Sequence, residues 1–245
     1  MVDGILKIGV HGSTGKMGLH VIKLIDNDPT LELSGKFSRA QQVSLDNLCK
    51  SSNVIIDFSL PEAVPALINT AVKHKCSLVI GTTGLSQAQH NEIKQAAELI
   101  PILYSANMSY GILVLNRLIE IASSLLSKED FDVAITDKHH KFKKDSPSGT
   151  ALMLGKSLHQ AWNIDGELDA NSKMDANKFG NICFSSIKIG NIVGEHSVVY
   201  ANLEERIILS HIAENKAVFA KGAIKAAKWL ADKPKGLYSL QDTIE

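Results

Sequence analysis

The sequence has no excess of charge of either sign. Lys and Arg total 26, Asp and Glu total 26, and the formal net charge is zero. That balance argues against a general nucleic-acid binder, whose affinity rests on a basic excess. Cysteine is scarce. Cys49, Cys76 and Cys183 are odd in number, far apart and without metal or redox spacing, so reduced buried thiols are expected. No apolar run approaches the roughly 18 residues of a membrane-spanning helix. The opening residues, MVDGILKIGVHG, pass straight into a strand pattern with no charged stretch leading into an apolar one. No secretory signal is expected, and the cytoplasm is the expected location. What the chain does have is 44% apolar residues over 245 positions, enough for a core. That length suits one large domain or two small ones.

Hydrophobic patterning divides the chain in two. Residues 5–10 (ILKIGV), 31–37 (LELSGKF), 53–59 (NVIIDFS), 77–83 (SLVIGTT) and 101–106 (PILYSA) read as strands, several of them almost wholly apolar. Between them lie a helix carrying Met17, Val21, Ile22, Leu24 and Ile25, a second over 63–72 after Pro61, and a third running to Leu99. Ser86 and Gln89 form a capping box for that third helix. LDNLCK, between the second and third strands, reads as a poor short helix or a turn. Alternation of this kind predicts a mostly parallel sheet with helices on both faces. After residue 108 the pattern changes. A long amphipathic helix over 112–126, a strand DVAITDKHH, a helix over 148–162, a polar loop over 163–180, three strands of an open sheet and a last helix over 216–231 follow. The fold class expected is therefore α/β, with a second α+β domain containing a mixed or open sheet and a boundary near residue 108.

The first turn carries chemistry. Gly12, Gly15 and Gly18 stand between the first strand and the first helix, as GSTGKMG. Glycines there permit a tight turn and close approach of a pyrophosphate, which the helix N-terminus then meets with free N–H groups. Lys16 adds a cation. The strand before and the helix after are the context that a dinucleotide site needs, and an ordinary tight turn is the alternative. An N-terminal Rossmann-type dinucleotide-binding domain is the expectation. The second strand ends in Lys36, Phe37, Ser38 and Arg39, without the carboxylate that would hold a ribose diol. Lys36, Ser38 and Arg39 suit a 2′-phosphate, which favours NADPH over NADH, or they are a solvated charge pair at a strand end. GTTG (81–84) closes the fourth strand where a flat ring can pass close to the backbone, or is a plain turn.

The second cluster is HHKFKKDSPSGTA, residues 139–151. His139 and His140 are adjacent and in extended chain point to opposite sides, so they do not easily share a metal, and no metal site is expected. Lys141, Lys143 and Lys144 make the segment cationic. Ser148, Gly149 and Thr150 open a helix whose N-terminus suits a carboxylate or phosphate. One segment thus supplies anion-binding donors together with His and Lys as candidate proton donors. The bland alternative is a solvated basic loop before a well-capped helix. His20, His74, His90 and His159 are isolated and are read as surface or packing residues.

Taken in order, these segments resemble the dihydrodipicolinate reductase family nearly end to end. GSTGKMG is similar to that family's GxxGRMG turn, IIDFSLPEA to its DFTxP segment, and HHKFKKDSPSGTA to its HHxxKxDAPSGTA signature. GTTG, SANMSYG, IVGEH, a strand ending at His211, FAKGAIKAAKWL and GLYSLQD follow in family order. The resemblance implies reduction of 4-hydroxy-tetrahydrodipicolinate, a cyclic dicarboxylate, to tetrahydrodipicolinate by NADPH or NADH in lysine and diaminopimelate synthesis. It implies a homotetramer built through the second domain's sheet, and a C-terminal segment, 216–245, that returns to the dinucleotide domain of 1–108. Residues 109–215 would bind substrate and oligomerise. By position, His139 would donate the proton with Lys143 as catalytic partner, and His140, Gly149 and Thr150 would bind substrate. Gly12, Ser13, Thr14, Gly15, Lys16 and Met17 would hold the pyrophosphate. Gly81, Thr82, Thr83, Ser105, Ala106, Asn107 and Met108 would line the nicotinamide side, and Arg39 would reach the adenosine ribose. The chain departs from the family pattern at Lys16 and Lys216, where Arg is usual, at Ser38, where some members are acidic, and in a short segment after Arg39.

Two other functions compete. Another two-domain nicotinamide oxidoreductase of a small carboxylate or amino acid would carry a different second signature. A dinucleotide-sensing module would not need His139 and Lys143 beside an anion-binding helix start.

Overall fold

The computed structural model describes residues 4–39, 44–166, 168–170 and 179–244. It forms two compact units. One comprises residues 1–110 and 216–245, the other 111–215.

The first unit is built on a six-stranded sheet. β1 (Leu6–His11), β2 (Leu31–Phe37), β3 (Val54–Asp57), β4 (Ser77–Ile80), β5 (Pro101–Tyr104) and β10 (Gly236–Tyr238) lie in the order β10-β5-β4-β3-β1-β2, every pair parallel. β3 and β4 are buried at every position, because helices cover both faces. α2 (Leu45–Ser51), α3 (Val64–His74) and α4 (Gln87–Ala97) pack on one face over a core of Leu48, Ile55, Leu67, Leu78, Ile93 and Ile102. α1 (Lys16–Asp26) and α7 (Ala217–Leu230) pack together on the other. α7 presses close: a Cβ on its Gly222 would sit 1.7 Å from the Met108 carbonyl oxygen, so only glycine fits. Lys228 of α7 also bonds Asp28 and Thr30 in the α1–β2 turn, at 2.7 and 2.9 Å.

One sequence expectation holds here, and two points change. LDNLCK is a true helix, α2, because the Ser44 hydroxyl accepts the Asp46 N–H at its start. The capping box of Ser86 and Gln89 forms in full on α4. The sixth strand, β10, was missed: three residues are too few to show a period, and they become a strand only by pairing with β5.

The second unit has a four-stranded mixed sheet, order β7-β6-β8-β9, of β6 (Asp132–His139), β7 (Ile182–Lys188), β8 (Gly194–Ala201) and β9 (Arg206–Ala213). β6 runs parallel to β7 and antiparallel to β8, so DVAITDKHH is a central strand of the mixed sheet that was expected. β6 and β8 alternate strictly between buried and half-buried positions, the mark of a sheet covered on one face. α5 (Tyr110–Leu125) and α6 (Gly149–Ala161) supply the cover, with Ile112, Leu115, Ile119, Leu154 and Leu158 meeting Val133, Ile135, Val198 and Tyr200. The buried Tyr200 hydroxyl pairs with Ser123 at 2.7 Å. The loop expected over 163–180 falls partly on residues 167 and 171–178, outside the described residues, as does 40–43 after Arg39. Cys49 and Cys76 are buried and Cys183 is half-buried. Burial pushes the Cys49 thiol up to about 11.

Candidate functional site

The strand ends of the first unit form a cleft of about 250 Å³ lined by His11, Gly12, Thr14, Gly15, Phe37, Ser38, Arg39, Phe58, Ser59, Leu60 and Ala63. Its floor is the glycine turn. Gly12 has φ +80°, and a Cβ there would meet the Phe58 carbonyl oxygen at 2.4 Å. A Cβ on Gly18 would meet the Gly12 oxygen at 2.3 Å. The turn therefore lies flat against the DFS segment and the start of α1. Gly15 caps α1 without a side-chain hydrogen bond, and no acidic residue stands in the first turn. The N–H groups of that turn have no intrahelical acceptor. Lys16 is exposed beside them. A cradle that a Cβ would fill, at an uncapped helix start, fits a pyrophosphate.

A buried hydrogen-bond network that the sequence reading missed fixes this floor. His11 Nδ1 lies 2.6 Å from Oδ1 of Asp57, and both side chains are buried. The Thr82 hydroxyl donates to Asp57 Oδ2 at 2.7 Å, and the Ser59 N–H is shared between Asp57 Oδ1 and Thr82 Oγ1. His11 and Asp57 are register partners on β1 and β3, which is visible only once the strand order is known. Gly81 packs on the Phe58 ring, where a Cβ would approach to 2.4 Å.

Of the expected cofactor residues, Gly12, Thr14, Gly15 and Arg39 line the cleft. Ser13 is buried, and its hydroxyl and N–H both bond the Phe37 carbonyl. Thr82 and Met108 are also buried, while Lys16, Thr83 and Ala106 are exposed and Met17 is half-buried. Ser105 donates to the Asn107 carbonyl, and the Asn107 side chain accepts the Ser109 N–H ahead of α5. Arg39 pairs with Glu62 at 2.9 Å on the surface. Next to it, the buried Ser38 hydroxyl has no hydrogen-bond partner among the described residues. Lys36 is exposed and does not line the cleft.

The second unit gathers the other set. His139 ends β6 and is buried. Its Nδ1 lies 2.8 Å from Asp137, and its ring meets His196 of β8 edge-on at 5.2 Å. The chain then turns out through His140, half-buried, and a loop containing a cis Ser146–Pro147 bond, and enters α6 at Ser148. The Ser148 hydroxyl caps α6 by accepting the Ala151 N–H at 3.1 Å and lies 3.2 Å from His196 Nε2. Burial, then the neighbouring His139, push His196 down to about 4, against the pull of Asp137, so it is neutral at ordinary pH. The first turn of α6 has no acidic residue, and Gly149 faces open space.

Lys143 is half-buried and bonds Asp145 at 2.9 Å. Burial alone would raise the Asp145 carboxyl, but Lys143 and main-chain N–H groups, Gly149's included, hold it below its ordinary range. His139 and Lys143 thus have separate carboxylate partners, Asp137 and Asp145. Asp137 could have been found in sequence, since it stands two residues before His139 on the same strand face. His196 could not, because it reaches the site only through the β6–β8 register.

Residues 6–108 match the family model described as dihydrodipicolinate reductase, N-terminus, and residues 111–244 match dihydrodipicolinate reductase, C-terminus. The chain belongs to the dihydrodipicolinate reductase family. A 4-hydroxy-tetrahydrodipicolinate reductase of Rickettsia rickettsii (strain Sheila Smith) is 44% identical over 238 residues, 97% of this chain and 98% of that protein. One of Zymomonas mobilis subsp. mobilis is 38% identical over 248 residues, 98% of this chain and 97% of that protein. Among solved structures, a dipicolinate-bound dihydrodipicolinate reductase from Paenisporosarcina sp. TG-14 superposes with a TM-score of 0.79 at 19% identity, covering 97% of this chain and 99% of that one. This is a family of oxidoreductases; the N-terminal match lies within the first unit, and the C-terminal match spans the second unit and the returning segment, 216–244, of the first. No helix among the described residues is long and apolar enough to cross a membrane.

Proposed function

We propose that this chain reduces 4-hydroxy-tetrahydrodipicolinate to tetrahydrodipicolinate, in the route to diaminopimelate and lysine. The observation that carries this reading is the Asp145 carboxylate, held by the N–H donors of the Lys143 ammonium at 2.9 Å in the segment that begins with His139. Those donors already bind a carboxylate, and a substrate carboxylate can take its place. Each turnover consumes a hydride and a proton and releases water and the oxidised cofactor. The cofactor is a nicotinamide dinucleotide, and when bound it supplies the hydride.

The chain's own residues do the rest. His139 delivers the proton with Lys143 as its partner, a contribution of about 10²- to 10⁴-fold for a positioned acid. His140, Gly149 and Thr150 hold the carboxylates through charge-assisted hydrogen bonds. Gly12, Ser13, Thr14, Gly15, Lys16 and Met17 hold the pyrophosphate. Ser13 acts through its main chain, because its hydroxyl is engaged. Gly81, Thr82, Thr83, Ser105, Ala106, Asn107 and Met108 line the nicotinamide side, where Thr82 and Met108, both buried, offer main-chain atoms. Arg39 reaches the adenosine ribose. With the Ser38 hydroxyl beside it, unpartnered among the described residues, and no carboxylate at the strand end, NADPH is the favoured donor.

The outer face of the second sheet supports a homotetramer. Ile187, Ile208 and Ile212 stand 42%, 54% and 57% exposed on β7 and β9, an apolar set that a second copy would cover. The cytoplasm is the proposed location.

The test is loss of reduced-nicotinamide absorbance with substrate made in situ from pyruvate and aspartate semialdehyde by the upstream synthase. NADPH and NADH are run in parallel. Turnover, faster with NADPH, is expected. Folded protein that binds NADPH and turns over neither mixture would discard the substrate. Light scattering reads the tetramer separately.

A further inference from the structure

Asp137 is a buried acid to which the scheme above gives no task. It is 1% exposed on β6, on the same strand face as His139. Its Oδ2 lies 2.8 Å from His139 Nδ1. Its Oδ1 accepts from two other elements: the Ser186 hydroxyl of β7 at 2.6 Å and the Ser148 N–H at the start of α6 at 3.3 Å. Burial raises this carboxyl, and the hydrogen bonds from His139, Ser186 and Ser148 outweigh that, leaving it below its ordinary range and ionised at neutral pH. An ionised carboxylate only accepts, so His139 Nδ1 carries hydrogen, and the proton that the ring exchanges sits on Nε2. Nε2 lies on the side of Gly194 in β8, where even a methyl group would come to 3.4 Å.

We propose that Asp137 is the positioning residue of the proton donor. It holds His139 in the Nδ1–H form, with Nε2 as the working nitrogen, and through Ser148 ties that ring to the helix start that takes the substrate carboxylate. This rests on the reading of His139 as proton donor in the reductase reaction. Asp137 touches no substrate and acts through His139 alone.

The Asn variant separates this role from simple packing. Two donors, Ser186 and Ser148, keep the amide oxygen of Asp137→Asn where Oδ1 was, and turn the NH₂ toward His139. That group donates, so Nδ1 must accept, and the neutral ring moves its hydrogen to Nε2. The imidazolium needs hydrogen on both nitrogens, and the facing amide opposes it.

Long-range ¹⁵N–¹H correlation on histidine-labelled protein reads the His139 tautomer without substrate, assigned by the signal lost in His139→Gln. Wild type is expected to carry hydrogen on Nδ1. Asp137→Asn is expected to carry it on Nε2, with kcat lower by about 10- to 100-fold and NADPH binding unchanged. Hydrogen on Nε2 in wild type overturns the proposal and needs no folded Asp137 variant. A folded Asp137→Asn with an unchanged tautomer, or with unchanged kcat, overturns it equally. If wild type oxidises no NADPH with the substrate, the reductase reading fails instead, and the two failures stay distinct because the tautomer is read without substrate.

Discussion

Asp57→Ala should weaken the first unit far more than loss of one exposed acid would. Asp57 is fully buried and takes hydrogen bonds from His11, Thr82 and Ser59. Alanine keeps the backbone of β3 and leaves three donors to be accounted for. The Ser59 N–H retains Thr82 Oγ1 at 3.0 Å. His11 Nδ1 and the Thr82 hydroxyl lose their partner in a dry site. Each such orphan costs about 1–3 kcal/mol, so the two together predict a loss of about 2–6 kcal/mol. The chain has two tryptophans, Trp162 in the second unit and Trp229 in the first. Urea unfolding followed by Trp229 emission, in a Trp162→Phe background, reads the first unit alone. Asp57→Asn keeps an acceptor and should lose about half as much or less. An Asp57→Ala protein within about 1 kcal/mol of its parent, a margin typical of surface changes, would refute the claim that this network supports the cleft.

Other outcomes follow from the same geometry. Gly18→Ala drives a methyl to 2.3 Å from the Gly12 oxygen, so α1 must shift from the turn; titration should show NADPH binding weakened at least tenfold, with the second unit's unfolding unchanged. Gly194→Ala places a methyl 3.4 Å from His139 Nε2, an ordinary contact; kcat should fall by about 10²-fold while thermal unfolding barely moves. His196 sits near 4 in the folded state against an ordinary 6.5, so the unfolded chain binds more protons between those values. Its contribution to stability is full above about pH 6.5 and is lost as pH falls toward about 4. In urea unfolding read by Trp162 emission in a Trp229→Phe background, His196→Gln should flatten that part of the stability curve.

Much of the fold was legible because local pattern and tertiary environment agree. The apolar runs of β3 and β4 signalled strands covered on both sides, and the α4 capping box formed between the residues read for it. β10 was hidden because its three residues have no strand character apart from β5. The glycine turn and the 139–150 segment announced themselves through residue type and spacing along the chain. The groups that support them did not: His11 meets Asp57, and His139 meets His196, across strands whose order the sequence does not display. Asp145 was passed over within a legible motif, because its role as partner of Lys143 depends on how the loop folds back.

The most direct test of the account is the turnover of His139→Gln beside wild type, with NADPH binding measured on both. A loss of about 10²- to 10⁴-fold in kcat with NADPH affinity unchanged is predicted. Turnover equal to wild type would contradict the assignment of the proton donor and the chemistry built on it.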